Sequence, residues 1–232
     1  MDDNILPHWT EKEEIMKSKS ENLFELIGSL IEWEKTRGVV FKETGLPIFE
    51  TWMFASEAPN EMLPYRHRNA ALEKKTASIC FYEPDVDLYR RLEEGKLELA
   101  SSELKKFGSF VGFDLSIFTD FITPFQEFYV LANLVIDLFF LLNGKRMIPN
   151  LRADETGGAS YFGLFEKAPV VCCGTLGCSL RKRVRDKNTL LISRYAEKHQ
   201  DQLIIQYGPN LVKADNTTAF PAFGWRMNHG QR

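Results

Sequence analysis

The sequence predicts an α/β fold with a mainly parallel sheet of five to seven strands flanked by helices. Five short apolar runs, at 78–83, 109–114, 146–150, 170–175 and 203–208, each end at polar or glycine residues. Most gaps between these runs can hold a helix, and the spacing fits βαβ units of about thirty residues. An open sheet and a partial or complete TIM-like barrel are both compatible with this spacing.

The composition is that of one globular α/β domain with appendages. The chain has 232 residues, of which 44% are hydrophobic and 26% charged, and its net charge is −3. This balance argues against a global basic field for nucleic acid. We divide the chain into a polar N-terminal segment with an amphipathic helix (1–45), an α/β core (46–208) and an irregular tail (209–232).

The elements follow in order from local patterns. Apolar spacing predicts a helix over 21–36, strands over 39–41 and 47–52, and a loop with a short helix over 55–76. Further helices are predicted over 85–92, 93–106 and 124–142, and from about 188 to 199 after an exposed loop at 179–187. Helix 124–142 has the clearest signals: Thr123 can cap it, Pro124 suits its first turn and Gly144 can end it.

Helix 124–142 is very apolar but carries Asn133 and Asp137. A membrane span needs ~20 residues that are nearly free of charge, so a buried core helix is the better interpretation. The acidic N-terminus has no apolar signal region, and four cysteines are too few for a disulfide scaffold of this length. These features favour the cytoplasm and no membrane contact.

Four motifs in order resemble a known family. FVGFDLSIFTDF resembles V-x-x-PDFS-x-Y, MIPNLRADE resembles IIPNVRWGD, VVCCGTLGC resembles V-A-V-G-T-x-G-C, and LIIQYGP follows. Over about 46–208 the chain is similar to the DUF4417 family, which has no established activity. The resemblance implies a bacteriophage or mobile-element origin and a bacterial cytoplasm. Phe113 and Ala153 depart from the family pattern, and the lost tryptophan at 153 removes a stacking surface.

Polar residues after two neighbouring strands form the first part of a candidate site, because ligands of parallel sheets bind at the carboxyl ends of strands. Asp114 and Asp154 are the candidate catalytic carboxylates, and Mg²⁺ is a cofactor that such a pair could hold. Arg152 suits a phosphate or carboxylate, and Ser116 and Asn150 lie beside these positions. The alternatives are a helix or turn cap at Asp114 or Ser116, and an internal ion pair of Arg152 with Asp114 or Asp154.

The next two strand ends supply the rest of the candidate site. Gly174 and Thr175 could leave backbone N–H groups for an anion, and Tyr207 ends the last apolar run. A tight turn is the alternative for Gly174 and Thr175, since the P-loop lysine and the third Rossmann glycine are missing. The cysteines and histidines have no zinc or Cys–His spacing, so no metal ligand is assigned to them.

One concentrated basic patch follows Cys178. It consists of Arg181, Lys182, Arg183 and Arg185, and it could contact nucleic-acid phosphates at the same side as the strand ends. The alternative is a solvated loop.

Two functions are therefore expected. The first is binding or processing of a phosphate-bearing ligand, a nucleotide or nucleic acid, at the strand ends. The second is a non-enzymatic interaction protein that inhibits or recruits a bacterial host factor through its N-terminal segment and aromatic tail.

Overall fold

The computed structural model describes residues 23–117, 123–152, 159–175 and 182–223. The helices in these ranges are α1 (Leu23–Thr36), α2 (Asp85–Glu93), α3 (Leu97–Leu104), α4 (Thr123–Leu142), α5 (Ala159–Phe162) and α6 (Lys182–Lys198). The strands are β1 (Glu61–Pro64), β2 (Ala77–Cys80), β3 (Ser109–Val111), β4 (Met147–Ile148), β5 (Val170–Gly174), β6 (Leu203–Tyr207) and β7 (Thr217–Phe220). The predicted α/β class with parallel strands is confirmed.

All strand pairs are parallel and lie in chain order. One sheet has the order β1-β2-β3-β4 and the other β5-β6-β7. A single parallel bridge between Asn150 and Cys172 joins them, with Cys172 N–H donating to Pro149 at 2.8 Å and Leu151 N–H donating to Cys172 at 2.7 Å. The seven strands thus form one continuous series, the order found in TIM-like barrels.

The series of strands is curved. The rings of Tyr82, just after β2, and Tyr207, on β6, stack with centroids 5.3 Å apart. In a flat sheet these two strands would be four spacings, roughly 19 Å, apart. Within the described ranges no ladder joins β7 to β1.

The side chains of each strand point alternately to the two faces of this curved series of strands, which we call the wall. Met62, Cys80, Val111, Ile148, Cys172 and Ile205 belong to the inner cluster of buried residues. Their chain neighbours Leu63, Ile79, Phe110, Met147, Val171 and Ile204 belong to the larger cluster that includes the helices. The alternation follows from the two-residue period of a strand, and it explains why these runs are apolar throughout.

Helix α4 begins at Thr123 and ends at Leu142, close to its predicted bounds. Gly144 follows with a φ of +86°, and its N–H donates to Leu141 at 2.9 Å. Gly144 therefore follows the helix end as predicted, and the residues directly before Thr123 lie outside the described ranges. In the described chain one helix, α4, is long and apolar enough to cross a membrane, and 56% of its most apolar window is buried in the protein.

Several local predictions differ from the structure. Residues 47–52 form no strand: Phe41 and Pro47 share one antiparallel bridge, and Thr51–Met53 is a 3₁₀ turn. Strand β1 lies in the segment expected to be a loop, and β7 lies in the tail expected to be irregular. Helix α6 begins at Lys182, so the basic stretch from that residue is helical rather than a loop.

Candidate functional site

The carboxyl ends of the middle strands bring three of the sequence-predicted residues together. Arg152 and Asp114 form an ion pair, with 3.1 Å between Nε and Oδ1. The Asn150 side chain donates to the same Asp114 oxygen at 2.7 Å. Arg152 also donates from Nη1 to the carbonyl of Leu115. The Arg152–Asp114 ion pair, one of the alternatives left open by the sequence, is present.

The surroundings of Arg152 fix its backbone as well as its side chain. The hydroxyl of Tyr161, on α5, accepts a hydrogen bond from Arg152 N–H at 2.9 Å and donates to Arg152 C=O at 2.8 Å. A guanidinium has five N–H donors, and the contacts to Asp114 and Leu115 engage only part of them. The side chain of Arg152 is 25% exposed.

Asp114 is more enclosed, with 15% of its side chain exposed. Burial raises the pKa of Asp114, while the positive charge of Arg152 and the hydrogen bond from Asn150 oppose that rise. An ion-paired carboxylate with a guanidinium at this distance is a poor ligand for a second cation. The described residues contain no group of three or more His, Cys, Asp and Glu side chains that could hold a metal.

Tyr82, which sequence reasoning missed, completes the network. Its hydroxyl donates to Asn150 Oδ1 at 2.8 Å and lies 3.3 Å from Cys172 Sγ. A Cβ atom on Gly174 would come within 2.7 Å of the Tyr82 ring, so glycine is required there for close approach. The available signal was the position of Tyr82 just after β2, equivalent to that of the other candidates after their strands.

Two polar residues of α4, also missed, hold the segment around Asp114. Asn133 accepts from Leu115 N–H at 2.8 Å and donates to Leu115 C=O at 3.1 Å. One turn later, Asp137 accepts from Phe113 N–H at 2.7 Å. We call these two side chains the α4 clamp. Their signal in the sequence was polarity at i and i+4 within an otherwise apolar helix.

A small cavity lies beside the clamp. It has a volume of about 20 Å³, room for about one water molecule, and its lining includes Asn133, Asp137, Asn150, Arg152 and Tyr161. Burial raises the pKa of Asp137 well above its usual value, and the charge of Asp114 adds to this, against the hydrogen bond from Phe113.

The other strand-end candidates are engaged within the fold. Thr175 is fully buried, and its hydroxyl lies 2.8 Å from Pro209 C=O and 3.2 Å from Tyr207 C=O. Tyr207 is 2% exposed and accepts from Phe223 N–H at 3.1 Å. Ser116 is half-buried, and its N–H donates to Asp85 at 3.0 Å. These residues position the strand ends and offer little free surface to a ligand.

The remaining predicted residues are only partly placed. Asp154 and Arg181 lie outside the described residues, as does the side chain of Arg183. Lys182 and Arg185 are exposed on the first turn of α6. Since α6 runs from the end of β5 back to the start of β6, its first turn lies toward the carboxyl ends of the strands.

No protein-family model matches this chain, and no curated protein or solved structure matches it either. The resemblance to the DUF4417 family and the phage origin it implies stay predictions.

Proposed function

We propose that this protein binds a phosphate-bearing ligand, a nucleotide or a nucleic acid, at the carboxyl ends of its strands, with Arg152 as the anion contact. The observation that supports this proposal is the Arg152 side chain, which is 25% exposed and is held at the strand ends by Asp114 and Leu115, while Tyr161 fixes the Arg152 backbone. A preorganised guanidinium loses little side-chain entropy when it forms a forked contact with a phosphate.

Two exposed cations extend the proposed site outward. Lys182 and Arg185 project from the start of α6 on the side of the strand ends. A mononucleotide would need Arg152 alone, whereas a longer nucleic acid would also gain from these two charges. Neutralising either helix cation should therefore weaken nucleic-acid binding more than mononucleotide binding.

The proposal favours binding over chemistry. Asp114 already shares its carboxylate between Arg152 and Asn150, which leaves it poorly placed to hold Mg²⁺. Processing of the ligand by Asp114 with Asp154 stays a prediction. A bacterial cytoplasmic location is the setting that both the composition and the family resemblance favour.

A thermal-shift panel tests the proposal directly. The ligands are mononucleotides, cyclic nucleotides, divalent metal ions and short single-stranded DNA, each added to the wild-type protein and to Arg152→Ala. A ligand at 100 times its Kd stabilises the folded state by ~2.7 kcal/mol, which raises the melting temperature. We expect a shift with at least one phosphate-bearing ligand and its loss in Arg152→Ala.

Arg146→Ala is the matched control. Arg146 is exposed and directly precedes β4. Its substitution therefore removes the same charge as Arg152→Ala, but at the opposite end of the strand. If Arg152→Ala keeps the wild-type shifts, or if Arg146→Ala loses them equally, Arg152 is not the anion contact. A flat panel with the wild-type protein contradicts the proposed function as a whole.

The alternative, a non-enzymatic protein that inhibits or recruits a host factor, needs a redesigned test. Removing the tail after Gly208 would also delete β7, and Phe223 stacks on His67 with centroids 4.8 Å apart. A lost complex after that truncation would report unfolding as readily as a lost contact. Substitution of Trp52, whose side chain is 53% exposed, is the cleaner variant for a pull-down.

A further inference from the structure

Helix α1 lies on α4 through one apolar face. Leu26, Ile27, Leu30 and Trp33 are buried on this face, and the Trp33 ring lies 5.5 Å from Phe139 of α4 between centroids. Because α1 packs chiefly on α4 and belongs to no strand ladder, it can leave without breaking one.

Glu34 interrupts this apolar face. It is fully buried at 0% exposure, and within the described chain neither carboxyl oxygen has a hydrogen-bond partner. A buried carboxylate without a partner or a cation is strongly unfavourable, so the group must be neutral while it stays buried.

The charged groups around Glu34 offer it no compensation. From α4 it faces Asp137, a second carboxyl that is only 3% exposed. On its own helix, Lys35 pairs with Glu32 at 2.8 Å on the exposed side. Beyond the helix end, the Arg37 guanidinium lies over the Trp33 ring at 4.9 Å.

We propose that α1 is a proton-dependent strap, which stays docked on α4 while Glu34 is protonated and is released when Glu34 ionises. Release removes Glu34 from its buried position to water, where the carboxylate is stable. It also uncovers the side of α4 that carries Asp137, and Asp137 holds the backbone just before Asp114. The strap does not depend on the proposed ligand.

The titration of Glu34 agrees with this geometry. Burial, with repulsion from Asp137, raises the pKa of Glu34 from 4.5 to about 9. The released helix would titrate near the lower value and the docked helix near the higher one. Between them the docking equilibrium therefore weakens by about tenfold for each pH unit.

Hydrogen exchange of the α1 amides tests the strap. Wild type and Glu34→Gln are compared at the same pH, from pH 6 to 9, so that the intrinsic pH dependence of exchange cancels. From pH 6 to pH 8 we expect the protection of 23–36 in the wild type to fall about 100-fold relative to the glutamine variant. The amides of β6 should show no such difference.

Glu32→Gln is the matched control, since it removes a carboxyl from the exposed side of the same helix. It should retain the wild-type pH dependence. The strap is contradicted if Glu34→Gln keeps the wild-type pH dependence, or if protection falls equally in α1 and β6. The first result assigns the titration to another group, and the second assigns it to global unfolding.

Discussion

At the scale of single residues, the strand ends are set by close contacts rather than by free polar groups. Asp114, Asn150 and Arg152 lie together because two neighbouring parallel strands, β3 and β4, end at one edge. Strand-end reasoning predicted this cluster from the sequence. It could not predict Tyr82 as the bridge to Asn150, because that contact depends on the curvature of the whole wall.

Gly174→Ala should destabilise the protein by about 1–3 kcal/mol, since the new methyl group would overlap the Tyr82 ring. Gly28→Ala is the control: its Cβ would meet nothing within 4 Å, and alanine favours a helix interior by about 0.5–1 kcal/mol. Urea unfolding of both variants measures the difference. Equal stability of Gly174→Ala and wild type would contradict the described packing of Tyr82.

Arg152→Ala should also cost stability, because Asp114 would remain largely buried without its cation. Adding Asp114→Asn should recover much of the loss, since a neutral amide needs no counter-charge. The double-mutant cycle by urea unfolding measures the coupling. Additive losses in the two single variants would show that the ion pair contributes nothing.

At the scale of elements, α4 acts both as core and as a support for the site. Its C-terminal end was predictable because Gly144 acts locally. The roles of Asn133 and Asp137 were not, because each depends on a strand end distant in sequence. Strand β1 was missed because Pro64 and the polar Glu61 mask a short strand, and β7 because Thr217 and Thr218 give a weak apolar signal.

Asn133→Ala should destabilise the protein by about 1–3 kcal/mol, because it leaves the buried Leu115 N–H unpaired, whereas Leu115 C=O keeps its hydrogen bond from Arg152. Asn143→Ala, near the exposed end of the same helix, is the control and should cost less. Thermal unfolding of the two variants tests the α4 clamp. A similar loss in both would mean that the clamp adds nothing specific.

The α1 interface gives a pH dependence of stability with a definite sign. The folded-state pKa of Glu34 is raised. The contribution of Glu34 to the free energy of unfolding is therefore complete below about pH 4.5 and is lost as the pH rises toward about 9. In that window the stability of wild type relative to Glu34→Gln should fall by about 1.4 kcal/mol per pH unit until α1 releases. Urea unfolding at pH 5, 7 and 9 measures this slope, and a flat difference would contradict it.

At the scale of the whole molecule, the chain-ordered parallel wall explains why one end collects the polar residues. The α/β class followed from strand and helix spacing alone. The choice between an open sheet and a barrel did not, because it depends on contacts such as Tyr82 with Tyr207, far apart in sequence.

Strand β7 belongs to this wall, so a variant truncated after Gly208 should lose cooperative unfolding. Gln206 is fully buried, and its side chain bonds to Asn210, Leu211 and Val212. Truncation would leave that amide unpaired and β6 without its outer neighbour. A cooperative melt near the wild-type temperature would contradict the assignment of β7 to the core.

The most direct test of the central claim is calorimetric titration of wild type, Arg152→Ala and Arg146→Ala with the phosphate-bearing ligand that gives the largest thermal shift. We predict a Kd about 10- to 100-fold weaker for Arg152→Ala, since a hydrogen bond to a charged group contributes about 1.5–3 kcal/mol. Arg146→Ala should bind like wild type. Equal affinity of all three proteins would contradict a phosphate site at the carboxyl ends of the strands.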